Sequence, residues 1–210
     1  MTLGFGVVVE RGACLLIDSS RRIYMSDGGA EDTVVSDKLL LVDPANDSDV
    51  RLAAAHSGPS PVVRRPKPLP DDGGDFFSAA ENVWATLSRV RWADYVPMAE
   101  RTFEHEALVC GSLPGQAVQL VRMGTDTPPR IADEGSVFGI GLASGIWKPS
   151  IQPHTIVDAT TAVLELFTER MRHAERLGVS WVSWPAHVAI VTPERIETYE
   201  FGETHHQCRW

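Results

Sequence analysis

The sequence predicts an α+β layered domain, with helices stacked on antiparallel sheets. Three observations predict it. Short apolar runs bounded by turn residues fill the first quarter of the chain, two segments carry a helical period, and the two kinds of segment come in blocks: strands, helix, strands, helix, strands. With 210 residues, 43% of them hydrophobic and 22% charged, the chain can bury a core without staples, and one domain is expected over 1–210.

Each element has its own signal. VVV at 7–9 and ACLLI at 13–17 flank a Glu10-Arg11-Gly12 turn, which predicts a hairpin. SDGGAED at 26–32 reads as a polar loop, VVSDKLLLV at 34–42 as a third strand and PANDSD at 44–49 as a turn. RLAAAHSG at 51–58 reads as a fourth strand running into a loop of small residues. Residues 58–74 carry five prolines and three glycines, so no regular element is expected there. From Phe76 to 103 the period becomes helical, with Phe77, Ala80, Val83, Trp84 and Leu87 on one face and a break near Asp94–Pro97.

The second half repeats the alternation. Residues 106–123 predict a hairpin about Leu113-Pro114-Gly115, GTDTPPR at 124–130 a turn, and SVFGIGLASG at 136–145 an apolar strand ending among glycines. A second long helix is predicted over 155–177, with Val157, Thr160, Val163, Leu164 and Phe167 as its stripe. It closes on Arg170, Arg172, His173 and Arg176 and then Gly178, which suits the negative end of the helix dipole and a glycine stop. HVAIVT at 187–192 and RIETYEF at 195–201 predict a last hairpin about Pro193-Glu194.

Charge and cysteine usage exclude several classes. A net charge of −9 argues against a nucleic-acid partner, which would need a basic face; the cluster Arg64-Arg65-x-Lys67 lies among prolines and reads as a solvated loop. Cys14, Cys110 and Cys208 are odd in number and far apart, which suits a reducing compartment, with Cys14 and Cys110 as small core residues. Glu10 and Arg11 break the first apolar run, so no leader is read there, and no stretch approaches the roughly 18–20 apolar residues of a membrane span. A soluble cytoplasmic protein is expected, with no membrane partner. The tail His205-His206-x-Cys208 offers metal-ligand chemistry without a partner motif nearby, so neither metal nor cofactor is expected. Trp181, Trp184 and Pro185 read as packing residues.

The chemistry-bearing pattern lies at the start. Thr2 directly follows Met1, and small second residues favour methionine removal. A hairpin would then hold a free α-amine, the Thr2 hydroxyl and the Asp18 carboxylate close together: a nucleophile with a built-in base. The α-amine, with an ordinary pKa of roughly 7.7–8.0, can accept the hydroxyl proton near neutral pH.

This layout resembles the proteasome β-type family of N-terminal nucleophile hydrolases, which includes the bacterial ring protease of the heat-shock locus. The resemblance spans nearly the whole chain at low similarity. Its strongest part is the opening TLGFGVVVERGACLLIDSSR, where Thr2 precedes Asp18 by the family spacing of sixteen residues. Lys38, directly before Leu39-Leu40-Leu41-Val42, resembles the family's catalytic lysine. ALVCGSLPGQAVQLVRMGTD, VFGIGLASG and HVAIVTPERIETY resemble later family segments. The resemblance implies a four-layer αββα sandwich, a homo-oligomeric ring, a peptide or protein substrate and room for an ATPase partner. It implies Thr2, Asp18 and Lys38 as the catalytic set, and an oxyanion hole near His56-Ser57-Gly58, from Ser57 and Gly58.

The departures are specific. The loop between Asp18 and Lys38 is longer than the family's, and prolines replace part of the first helix. The glycine-rich strand reads Gly139-Ile140-Gly141 where the family has a serine. After the long helix the chain reads Leu177-Gly178-Val179-Ser180-Trp181, so Ser180 or Ser183 would fill the family's serine position and the helper aspartate is missing. Two functions follow: a threonine-type peptidase or amidase, or a catalytically inactive ring or scaffold subunit on the same fold. An amidohydrolase of small molecules is a third.

Overall fold

Strand β1 (Leu3–Val9) and strand β2 (Gly12–Asp18) form the expected opening hairpin, and every residue of both is buried. A strand buried on both faces must be covered on both, and the alternation of its side chains shows by what. Leu3, Phe5, Val7, Cys14 and Leu16 cluster with Val163 and Phe167 of helix α2 (Ile156–Arg176). Val8, Ala13, Leu15 and Ile17 cluster instead with Ala53, Ala55, Leu108 and Cys110. Those four lie on β6 (Arg51–Ser57) and β7 (Glu106–Ser112). The opposite faces of β6 and β7 present Leu52, Ala54, Ala107 and Val109 to helix α1 (Phe76–Leu87). The layers are therefore α2, sheet, sheet, α1: a four-layer αββα sandwich.

The computed structural model describes residues 2–24, 30–34, 38–42, 51–58, 75–88, 105–179 and 182–202. The first sheet also holds β10 (Val137–Gly141), β11 (Gly145–Trp147), β12 (Ala186–Val191) and β13 (Ile196–Phe201), in the order β11-β10-β1-β2-β12-β13. The second sheet adds β5 (Leu39–Val42), β8 (Gln119–Gly124) and β9 (Arg130–Ile131), in the order β5-β6-β7-β8-β9. Every pairing in both is antiparallel. A separate ribbon pairs β3 (Ser20–Tyr24) with β4 (Ala30–Val34).

Three boundaries and one helix face differ from the expectations. The single strand expected over 34–42 is divided, because Val34 pairs with Ser20 in the ribbon while Leu39 pairs with Ala55 in the second sheet. Ala30, Glu31 and Asp32, expected in a loop, are strand residues opposite Tyr24, Ile23 and Arg22. The strand expected over 136–145 ends at Gly141 and resumes as β11 after a turn. The stripe of α2 is rotated: Ala159, Ala162, Val163, Phe167, Met171 and Ala174 are buried, while Val157 is 65% exposed. Small alanines let the helix lie close to the sheet, and their weak hydrophobic signal hides the true face.

Helix ends follow their residues. Thr155 and Asp158 form a reciprocal capping box at the start of α2. At its end Gly178 adopts φ +67°, with the Val179 N–H donating to the Ala174 carbonyl and the Gly178 N–H to the Glu175 carbonyl, a Schellman stop. Helix α1 buries Phe76, Ala79, Ala80, Val83 and Leu87, with Phe77 and Trp84 half-buried beside them. Its expected continuation to 103, the proline-rich segment from 59 to 74, and the tail residues His205, His206 and Cys208 lie outside the described residues. Trp184 packs its ring edge-on against Phe167 at 5.1 Å, as a packing residue should; Trp181 lies outside the description.

Candidate active site

Asp18 ends β2 and is completely buried. Its Oδ1 accepts the Leu3 N–H at 2.8 Å and its Oδ2 accepts the Ser20 N–H at 3.0 Å. The Lys38 ammonium donates to both oxygens, at 2.9 and 3.0 Å. Four hydrogen bonds from three donor groups converging on one carboxyl suit an ionised carboxylate, which can only accept. Burial pushes the Asp18 carboxyl above its ordinary value, and the Lys38 charge with the two backbone N–H groups opposes that push. Lys38 is itself buried, and its carbonyl accepts the His56 N–H at 3.2 Å, so the second sheet holds the lysine beneath the first.

Thr2 is 3% exposed and adjoins this pair, since the Leu3 N–H that follows it binds Asp18. Its carbonyl accepts the Leu142 N–H at 2.8 Å. Gly141 stands against it at φ +66°, and a Cβ there would run into the Thr2 carbonyl oxygen while lying 3.1 Å from Ser57 Oγ. Thr2 and Ser57 thus meet at Gly141. Gly58 lies against the His105 imidazole instead. Ser180 lies outside the described residues, so only Ser183 of the two candidate serines can be located. The Ser183 carbonyl accepts the Ser19 N–H at 3.3 Å, next to Asp18, and its own hydroxyl is buried without a hydrogen-bond partner.

Two groups escape a reading of the sequence. The His56 and His105 rings stack at 5.5 Å with Nε2 and Nδ1 3.2 Å apart, and His105 lies against Gly58. Glu106, Arg122 and Ser144 form a polar cluster beside Gly141. The available signal was an acid heading an apolar strand and an arginine inside another, which by themselves read as strand-end and edge residues. Among the described residues no group of three potential ligands could hold a metal. No helix among them is long and apolar enough to cross a membrane.

No protein-family model matches the chain, and no curated protein sequence does. Solved structures do match its fold. An Anbu (Gly-1) mutant from Hyphomicrobium sp. strain MC1 superposes with a TM-score of 0.68 at 15% identity, over 98% of this chain and 89% of that one. The fold is proteasome-like. Anbu, an ancestral beta-subunit, from Yersinia bercovieri matches at a TM-score of 0.61 and 14% identity, over 97% and 88% of the two chains. The helical assembly of the Anbu complex from Pseudomonas aeruginosa matches at 0.66 and 12%, over 97% and 88%. On this proteasome-like N-terminal nucleophile hydrolase fold, the opening hairpin of the chain carries Thr2 and Asp18 on the sheet covered by α2.

Proposed function

We propose that the chain is a subunit of a self-assembled, proteasome-like threonine-type peptidase or amidase, with Thr2 exposed as the N-terminus by removal of Met1. One observation carries this: a buried Lys38–Asp18 ion pair whose carboxylate also binds the amide directly after Thr2. A lysine charge beside the Thr2 hydroxyl favours its deprotonation, and the free α-amine takes the proton. Oγ then bonds to the substrate carbonyl carbon, and the resulting oxyanion is held by N–H groups near Ser57 and Gly58. The amine proton passes to the leaving nitrogen, the C–N bond breaks, and an ester on Thr2 remains. Water, deprotonated by the same amine, hydrolyses that ester. A protein substrate would be delivered to Thr2 as an extended chain, a task that suits an ATPase partner.

A specific feature favours the inactive ring or scaffold alternative. The turn after the glycine-rich strand offers Leu142 beside Thr2, while the nearby Ser144 hydroxyl is committed to Glu106 and Arg122. The two readings separate in one experiment. Purified protein is treated with a β-lactone that acylates N-terminal threonine, and its intact mass and N-terminal peptide are measured. Loss of Met1 with one adduct on Thr2 supports the hydrolase; retention of Met1 in nearly all molecules sinks it and leaves the scaffold.

A further inference from the structure

The buried carboxylate of Glu106 has no part in the chemistry above. It opens β7, only 5% exposed, opposite Ser57 in the ladder. Its Oε2 accepts the Gly141 N–H at 2.7 Å. Its Oε1 accepts the Ser144 hydroxyl at 2.6 Å and the Arg122 guanidinium. Arg122 also donates to Ser144 Oγ at 2.7 Å. Gly141 and Ser144 are the two ends of the turn between β10 and β11, closed by the Ser144 N–H on the Gly141 carbonyl at 3.0 Å. One carboxylate from the second sheet therefore grips both ends of a turn on the first, and the Arg122 charge makes its burial tolerable.

The middle of that turn grips Thr2. The pairing of β1 with β10 begins at Leu3 opposite Gly141, and that of β1 with β2 at Gly4 opposite Ile17, so Thr2 lies beyond both ladders. The Leu142 N–H on its carbonyl is the backbone bond that fixes it. An end residue outside the ladder frays unless something holds it. We infer that Glu106 is a positioning residue for Thr2: through the Gly141–Ser144 turn it sets the Thr2 backbone and with it the direction of Oγ. This rests on Thr2 being the nucleophile.

The test is the rate of β-lactone acylation of Thr2 in the full-length assembled protein, resolved into kinact and KI, with amide hydrogen exchange over 138–146. Glu106→Ala is expected to lower kinact about 100-fold, the order that a displacement of about 1 Å produces, with KI unchanged and with faster exchange at Gly141 and Leu142. Glu106→Gln should recover part of both, because its amide oxygen still accepts the Gly141 N–H while its NH2 can donate to Ser144 Oγ but can no longer accept from Arg122. Should Glu106→Ala fail to fold, Ser144→Ala removes one of the two grips and is expected to lower kinact roughly tenfold. An unchanged kinact, a rise in KI instead, or undisturbed exchange at Leu142 overturns the inference while the nucleophile stands. No acylation of wild-type protein that has a free Thr2 overturns the nucleophile and the positioning role together.

Discussion

Lys38 and Asp18 form a buried salt bridge, with the ammonium 2.9 Å from Oδ1 and 3.0 Å from Oδ2. Such a pair seldom stabilises a fold more than apolar residues of the same size would, because both ions lose their hydration. Its carboxylate binds the amide directly after Thr2, which is where the proposed chemistry would use it.

Lys38→Met should therefore damage stability and acylation together. Removing one partner of a buried pair destabilises by roughly 3–5 kcal/mol, since the other charge is stranded. Without Lys38, the charge that opposes burial is gone, only the Leu3 and Ser20 N–H groups still hold the Asp18 carboxyl down, and it rises further. A raised carboxyl binds its proton more tightly in the folded protein than in the unfolded chain, so stability falls as pH rises through the folded value. The variant should accordingly be least damaged near the ordinary carboxyl value of 3.8 and most damaged at neutral pH. The double variant Asp18→Asn/Lys38→Met strands no charge and should recover much of the stability lost in Lys38→Met, short of the one backbone N–H that the Asn amide cannot accept, and remain unreactive. Denaturation midpoints across pH check this, and a double variant no more stable than Lys38→Met would refute it.

Thr2→Ala should abolish β-lactone labelling and any peptidase or amidase turnover. The structural loss is one hydroxyl and one methyl, so the melting temperature should stay within a few degrees of wild type. Turnover that survives Thr2→Ala places the active site elsewhere.

Gly141→Ala tests the contact between the turn and Thr2. The left-handed conformation, φ +66°, disfavours a side chain by about 1–2 kcal/mol, and the new Cβ would also strike the Thr2 carbonyl. Acylation should fall much further than stability, because the displaced atoms belong to Thr2. A Gly141→Ala protein acylated at the wild-type rate would separate the turn from the site.

The sequence carried the parts of this molecule that local chemistry dictates. The opening hairpin, β6, both long hairpins and the glycine stop of α2 were legible because turn residues and apolar runs mark them. Lys38 was singled out only through the family resemblance, in which a lysine directly precedes an apolar strand. Glu106 was not, since the Gly141 amide that it binds is 35 positions away along the chain and the two meet only when the sheets stack. The buried face of α2 was misread because Val157 outweighs Ala159 in hydrophobicity while the packed sheet selects the smaller residue. The split of 34–42 depends on strand partners, which no local pattern reveals.

Cys14 and Cys110 should resist thiol reagents in the folded protein. Both are completely buried, and burial pushes the Cys14 thiol up to about 12 and Cys110 well above its ordinary value. Only the thiolate reacts. In a Cys208→Ser variant, Ellman's reagent should find no fast thiol at pH 8 and two after denaturation. The same shifts lower stability in alkali: above the ordinary value of 9.0 the unfolded chain gives up thiol protons that the folded chain keeps, so stability declines as pH rises from there toward 12. Rapid labelling of the native variant would show that the layers open far more readily than their packing implies.

Self-assembly is the last expectation, and exposed apolar side chains say where to look. Ile146, Ile151 and Val157, in the stretch from β11 into α2, are 46%, 79% and 65% exposed. A head-to-tail contact buries such residues against a different surface of the next copy, and it closes into a ring or runs on as a helix according to its rotation. Light scattering at micromolar concentration should give a mass several times 23.0 kDa. A ring keeps that mass on dilution and concentration, whereas an open helix grows with concentration. Ile151→Asp combined with Val157→Asp should shift the protein toward monomer while leaving the fold intact, because neither side chain joins the core. A wild-type monomer at every concentration would remove the ring and leave the sandwich, and an assembly indifferent to both substitutions would move the contact to another face.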